Sequence, residues 1–408
     1  MGAYQSAKQF FNHYWPLGLT ILIALLLRWP YRDGGSLYLH SEFLRDRAMM
    51  QAMNSGHWPL LGPDSHLGHF NFGPIYYYLL FPFAKLFNFA PYGQPAASVF
   101  FSLATIVLLF FVVKKWWRNE YLAYLTAIIL ALSHFDAIFA KYSSNPNFLP
   151  FFCLLFFYAL QKLIINEDVK VSAFLLALAF GVATQLHVVA LISLSLILVI
   201  ELILKKIRIT TAVAAIFIST VLALYLPYIY YQFTHNFADV RGLIFLARTS
   251  SSFQEPLQLR LVEYFGFWFG PWVSSQIDFD VFYVLGNAMI YFIAAACLGL
   301  WLTFKLNQNH LHPVNIDLNT PPSVKHMLWV WFLAPTIILL LPISTVTSLL
   351  VFYFFTLAPL LYIVYALAVV KLLQKGWRLV VYYLALVFLL LQILQFWLYD
   401  ALVKGRIL

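Results

Sequence analysis

The chain has 408 residues, 62% of them hydrophobic and only 10% charged, where a soluble domain carries roughly 45–50% and about 25%. This excludes an ordinary soluble enzyme, and the long unbroken apolar runs exclude a β-barrel, whose strands alternate. The formal net charge of +9 reads chiefly as Lys- and Arg-rich cytoplasmic loops, so no nucleic-acid partner is expected.

The first apolar run, 14–29, ends in Arg28-Trp29-Pro30 without a small-residue cleavage site, and is expected to be a retained span. An extracytoplasmic loop, 30–94, follows it. Within this loop Ser41 to Tyr78 concentrates Glu42, Arg45, Asp46, Arg47, Asp64 and three histidines, His57, His66 and His69. Ser41 can cap a helix over 42–54, with Glu42 suited to its positive end. Glu42, Arg45 and Asp46, spaced three and four apart, share one face of that helix. Residues 57–73 are rich in Gly and Pro and read as a loop. Pro74 then opens an aromatic helix through about Phe89, whose Tyr76-Tyr77-Tyr78 reads first as an interfacial belt.

Further spans are expected near 95–113, 121–138, 148–165 and 171–187, then in a sixth run ending at Lys205-Lys206-Ile207-Arg208, then at 210–232. A second large polar loop, 233–280, precedes spans near 281–304, 327–343, 349–372 and 379–399. The total is about eleven, each near the roughly 20 residues a bilayer requires. The basic clusters at 114–118, 205–208 and 371–378 agree on one orientation, N-terminus inside and C-terminus outside. The chain therefore reads as one all-α polytopic domain with no separate soluble part. Cys153 and Cys297 lie in apolar runs and read as buried small hydrophobes.

An acidic residue opening a short helix after span one, then Gly56-His57-Trp58-Pro59-Leu60, then Gly73-Pro74-Ile75-Tyr76-Tyr77-Tyr78, resembles the GT-C superfamily of membrane glycosyltransferases. Within it the chain is similar to bacterial relatives of the protein O-mannosyltransferases and of the lipid A aminoarabinose transferase. Asn145-Pro146-Asn147, Gln185-Leu186-His187, Leu226-Pro227 and the stretch from Tyr353 to Pro359 extend the likeness. It implies a GT-C fold, a bacterial inner-membrane location and a periplasmic active site. It also implies transfer, with inversion, of a sugar from a polyprenyl phosphate to a hydroxyl on a lipid, polysaccharide or protein.

By this resemblance Glu42 aligns with the catalytic carboxylate, with Asp46 as its competitor, and Arg45 with a donor-phosphate contact. The related transferase has a Lys before the Pro of the second loop helix. Phe72 and Gly73 stand there instead, and His69, Lys141, Arg241 or Arg248 are candidates to supply the basic contact. Tyr76, Asp136, Asn145 and His187 are expected to line the substrate.

Transfer to a hydroxyl needs a base for the acceptor proton and a cation for the leaving phosphate, where a guanidinium fork fits the oxygens. No Gly-rich nucleotide loop is present, and none is needed when the donor carries its own phosphate. The spacing of His57, His66, His69 and Glu42 fits no tight metal template. A divalent metal is the less favoured reading, and no cofactor is called for. A lipid or lipid-linked-sugar transporter is the rival from another class, but the internal repeats and matched broken spans it would show are not evident.

Overall fold

The computed structural model describes residues 2–29, 40–249 apart from 66, 67 and 69, 319–340 and 351–374, with isolated positions 260, 261, 264, 377, 380, 381 and 385. The expected spans at 281–304 and, in the main, 379–399 lie outside the described residues. Those described are helical, with one isolated β-bridge. In chain order the helices are α1 (Gly2–Arg28), α2 (His40–Asn54), α3 (Ile75–Leu86), α4 (Gly93–Trp117), α5 (Glu120–Leu132) and α6 (His134–Phe139). There follow α7 (Leu149–Ile164), α8 (Val169–Leu186), α9 (Val188–Ile203), α10 (Thr211–Thr234), α11 (Ala238–Thr249), α12 (Pro322–Leu340) and α13 (Ala358–Gln374). Short 3-10 turns, Asn145–Phe148 and Val351–Thr356, lead into α7 and α13.

Among the described residues five helical stretches are long and apolar enough to cross a membrane: α4, α7 with its leading turn, α8, α10 and α12. Tyr14–Arg28, α5, α9 and α13 are shorter apolar helices. This is a multi-pass membrane protein, although the described part does not reach the expected eleven spans. The expected span over 121–138 is in fact two helices. Ser133 breaks it, and its side chain caps α6 by accepting the Asp136 N–H. Likewise α8 and α9 meet at His187, whose backbone is extended.

The layering follows from where apolar side chains go. The span containing α7 is 83% buried, so apolar residues on all its faces meet protein. It packs mainly against α8, and α8 in turn against α10. Only 6% of the α10 span is buried, leaving Leu222, Leu226, Tyr230 and Phe233 on an outer surface.

One charged side chain ties three of these helices together. Arg28 is wholly buried and donates to Ser102 Oγ of α4 at 2.8 Å, and to the carbonyls of Leu130 and Ala131 at 2.7 and 2.6 Å. Those carbonyls belong to the last turn of α5, where helix acceptors lack i+4 donors. The Ser133 N–H meets the Leu130 carbonyl at 3.2 Å, and α1 supplies the further donors.

Candidate functional site

The site begins with a conflict in α2. Phe43, Asp46, Met50 and Met53 form its buried stripe, the helical spacing of a core-facing surface, and one member is a carboxylate. Helix α2 packs on α3, and α3 supplies the partner. Tyr76 donates its hydroxyl to Asp46 Oδ2 at 2.6 Å and meets Ser143 Oγ at 2.9 Å. The other oxygen, Asp46 Oδ1, accepts Arg45 Nε at 3.0 Å and Nη2 at 2.9 Å. Arg45 Nη1 reaches onward to Asp64 Oδ1 at 3.0 Å. Asp46 has no exposed side-chain surface, Arg45 has 29% and Asp64 70%.

Burial pushes the Asp46 carboxyl up to about 6, while Arg45 and the Tyr76 hydrogen bond pull it back and Glu42 adds to the rise. For Arg45 burial acts against the charge, but the Asp46 carboxylate outweighs it and holds the guanidinium above its usual range.

The segment from Gly62 to Phe72, expected as plain loop, is a closed arm. Gly62 N–H donates to Phe72 O at 2.8 Å and Phe72 N–H to Pro63 O at 2.9 Å, and Asp64 bridges Asn71 in antiparallel fashion. Two glycines allow its close seating. A Cβ on Gly62 would lie 2.1 Å from Gly73 O, and one on Gly73 would lie 2.0 Å from Gln185 Oε1. The arm presents Asp64 to Arg45 at its base. At its far side Asn71 donates through both its backbone N–H and Nδ2 to Asp239 Oδ1, at 3.0 and 3.2 Å. Asp239 is buried at the start of α11, and Gln232 Nε2 donates to its other oxygen at 2.5 Å. A helix from the second large loop therefore docks on the first.

The expected site residues divide accordingly. Arg45, Asp46 and Tyr76 come together, and Glu42, nine-tenths buried one turn earlier on α2, acts electrostatically on Asp46. The tyrosine run is not a surface belt: Tyr76 and Tyr77 are buried, and Tyr78 donates to Pro59 O at 2.6 Å. Ser41 lies inside the first turn of α2 as described, not at its cap. Lys141 is half-buried, two residues before Ser143. His187 caps α9 by accepting the Val189 N–H at 3.3 Å, and its ring stacks on Phe72 of the arm at 6.1 Å. Asn145 Nδ2 donates to Leu186 O at 2.5 Å, closing the end of α8.

Asp136 belongs to a different cluster, where it accepts from Ser133 Oγ at 3.0 Å and from the Tyr362 hydroxyl. Arg241 and Arg248 are exposed on α11, and neither contacts Arg45 or Asp46 among the described residues. His69 lies outside the described residues. No group of three or more His, Cys, Asp or Glu is placed to hold a metal among the described residues. Sequence reading missed Ser143, Asp64 as the partner of Arg45, and Asp239. For Asp239 the available signal was an acidic residue just past the apolar span α10.

No family model and no curated protein matches the chain. Two solved structures do, both of ArnT from Cupriavidus metallidurans. One is bound to undecaprenyl phosphate (TM-score 0.56, 15% identity, 86% of this chain) and the other is in the apo state (0.52, 15%, 89%). The chain shares its fold with ArnT. It spans about three-fifths of the length of those structures, 59% and 60%. The fold expected from the resemblance at Glu42, Arg45 and the Gly73–Tyr78 stretch thus agrees with the fold shared with ArnT.

Proposed function

We propose that the protein is a polyprenyl-phosphate-dependent glycosyltransferase that moves a sugar to a hydroxyl on the extracytoplasmic face, with inversion. One observation carries the reading: beside Glu42, a guanidinium is oriented at the bundle end by a buried carboxylate, in a chain with the fold of an enzyme captured with undecaprenyl phosphate. Arg45 has five N–H donors. Three go to Asp46 and Asp64, another side meets the Tyr77 hydroxyl, and the guanidinium keeps a face that is 29% exposed. A donor phosphate approaches that face and displaces Asp64, an exposed partner whose ion pair is weak.

Glu42 is the base in this reading, because both oxygens of Asp46 are committed to Arg45, Tyr76 and Ser143. The acceptor oxygen attacks the anomeric carbon and its proton passes to Glu42. The bond from that carbon to the phosphate oxygen breaks, and polyprenyl phosphate leaves with the electron pair towards Arg45. Asp46 orients Arg45 and does not touch substrate. The acceptor is a lipid, polysaccharide or protein hydroxyl.

Purified protein is assayed with a synthetic polyprenyl-phosphate sugar. Glu42→Gln is expected to lose about 10²–10⁴ in kcat, the usual worth of a general base. Arg45→Ala is expected to raise donor KM and reduce the rate together. Full activity in Glu42→Gln removes the base assignment, and an unchanged donor dependence in Arg45→Ala removes the clamp.

A further inference from the structure

At the other end of the bundle, where α4 ends and α5 begins, is a crevice of about 950 Å³ that the transfer chemistry does not use. Helix α4 has 25 residues, so roughly 37 Å of helix separates this crevice from the end nearest Asp46. We infer that it binds the phosphodiester headgroup of an anionic phospholipid bearing a hydroxyl.

Charge is the first argument. Lys114, Lys115 and Arg118 line the crevice, and Lys162 stands beside them through its contacts to Glu167 at 3.3 Å and Asp168 at 2.8 Å. Against these four cations stand Glu120, Glu167 and Asp168. Glu167 serves two lysines at once, so ammonium donors remain over. Arg118 has a left-handed backbone (φ 51°) at the end of α4, is exposed, and has no ion-pair partner among the described residues. Basic pockets between spans on the inner side attract anionic headgroups.

The second argument is the rest of the lining. Phe111 and Ile165, 42% and 43% exposed, give the crevice an apolar side suited to acyl chain. Free phosphate has no use for it. Trp116 and Trp117 sit where indoles mark the lipid–water boundary. The third argument is two unfilled hydrogen-bonding atoms on lining residues. Trp116 Nε1 and Gln161 Oε1 are buried without partners among the described residues. One is a donor that suits a phosphodiester oxygen, the other an acceptor that suits a hydroxyl, and a small side-chain shift towards the crevice supplies each from a phosphoglycerol head.

The test reconstitutes the full chain in nanodiscs of phosphatidylcholine containing phosphatidylglycerol, and counts lipids retained after extraction by native mass spectrometry. Phosphatidylglycerol should be retained at least about fivefold over phosphatidylcholine, and Arg118→Gln should remove about fivefold of that preference. Lys115→Gln should act likewise. Because Lys115 pairs with Glu167, a variant that fails to fold leaves the decision to the exposed Arg118→Gln. Equal retention of the two lipids, or an unchanged preference in Arg118→Gln, overturns the inference. So does displacement of the lipid by millimolar inorganic phosphate, which would mark a simple anion site.

Discussion

At the scale of single residues, Asp46 does two things that can be measured apart. Its carboxyl, ordinarily near 3.8, is pushed up to about 6 by burial. The folded chain therefore holds that proton more tightly than the unfolded chain, and the Asp46 contribution to stability falls as pH rises through roughly 4 to 6. In the proposed reaction activity runs the other way, because only the ionised carboxylate pairs with Arg45. Donor KM is expected to rise as pH falls below about 6 in the native enzyme. Asp46→Asn is expected to show a raised donor KM that no longer changes in that window, and kcat/KM against pH for both proteins checks this. Asp64 predicts the opposite sign. It is mostly exposed and pairs with Arg45; in the proposed reaction it competes with the donor there, so Asp64→Asn should lower donor KM about two- to fivefold, the worth of a surface ion pair. A raised KM would mean that Asp64 orients Arg45 and does not compete for it.

At the scale of elements, the breaks matter more than the spans. The end of α5 is closed by the Ser133 N–H on the Leu130 carbonyl and by Arg28 from α1. Arg28→Ala would leave the Leu130 and Ala131 carbonyls without that donor and Asp136 without its nearby positive charge. Removing one member of such a buried charged set costs about 3–5 kcal/mol. A large loss of thermal stability in detergent is expected, with α1 and α5 most affected in hydrogen exchange. The arm between α2 and α3 makes a comparable demand at Gly73, where a Cβ would collide with Gln185 Oε1. Gly73→Ala must displace Gln185, which donates to Leu224 O at 3.1 Å, or lift the arm. The first lowers stability through the lost Gln185 bond, and the second separates Asp64 from Arg45 and appears as changed donor KM together with lowered stability.

At the scale of the whole molecule, what was legible divides by distance along the chain. Helices α4, α7, α8 and α10 were legible because apolar run length and terminal charge are local properties, and the Glu42–Arg45–Asp46 face because helical spacing is local too. The break at Ser133 was not, since a serine inside an apolar run does not by itself end a helix and the Arg28 donors that close this one lie about a hundred residues away. Nor was the tie between Asn71 and Asp239, 168 residues apart. That tie gives the last prediction. Asp239 holds the arm that carries Asp64, yet it contacts neither Arg45 nor Glu42 among the described residues, so it can act only through position. Asp239→Ala should free the arm, draw Asp64 off Arg45 and lower donor KM about two- to fivefold, as Asp64→Asn does, while kcat changes little. Asp239→Asn keeps one acceptor oxygen for Asn71 and should return donor KM most of the way to the native value. If Asp239 merely stabilised α11, both variants would lower the melting temperature and leave donor KM alone. Donor KM and melting temperature measured side by side on the two variants therefore separate positioning from packing.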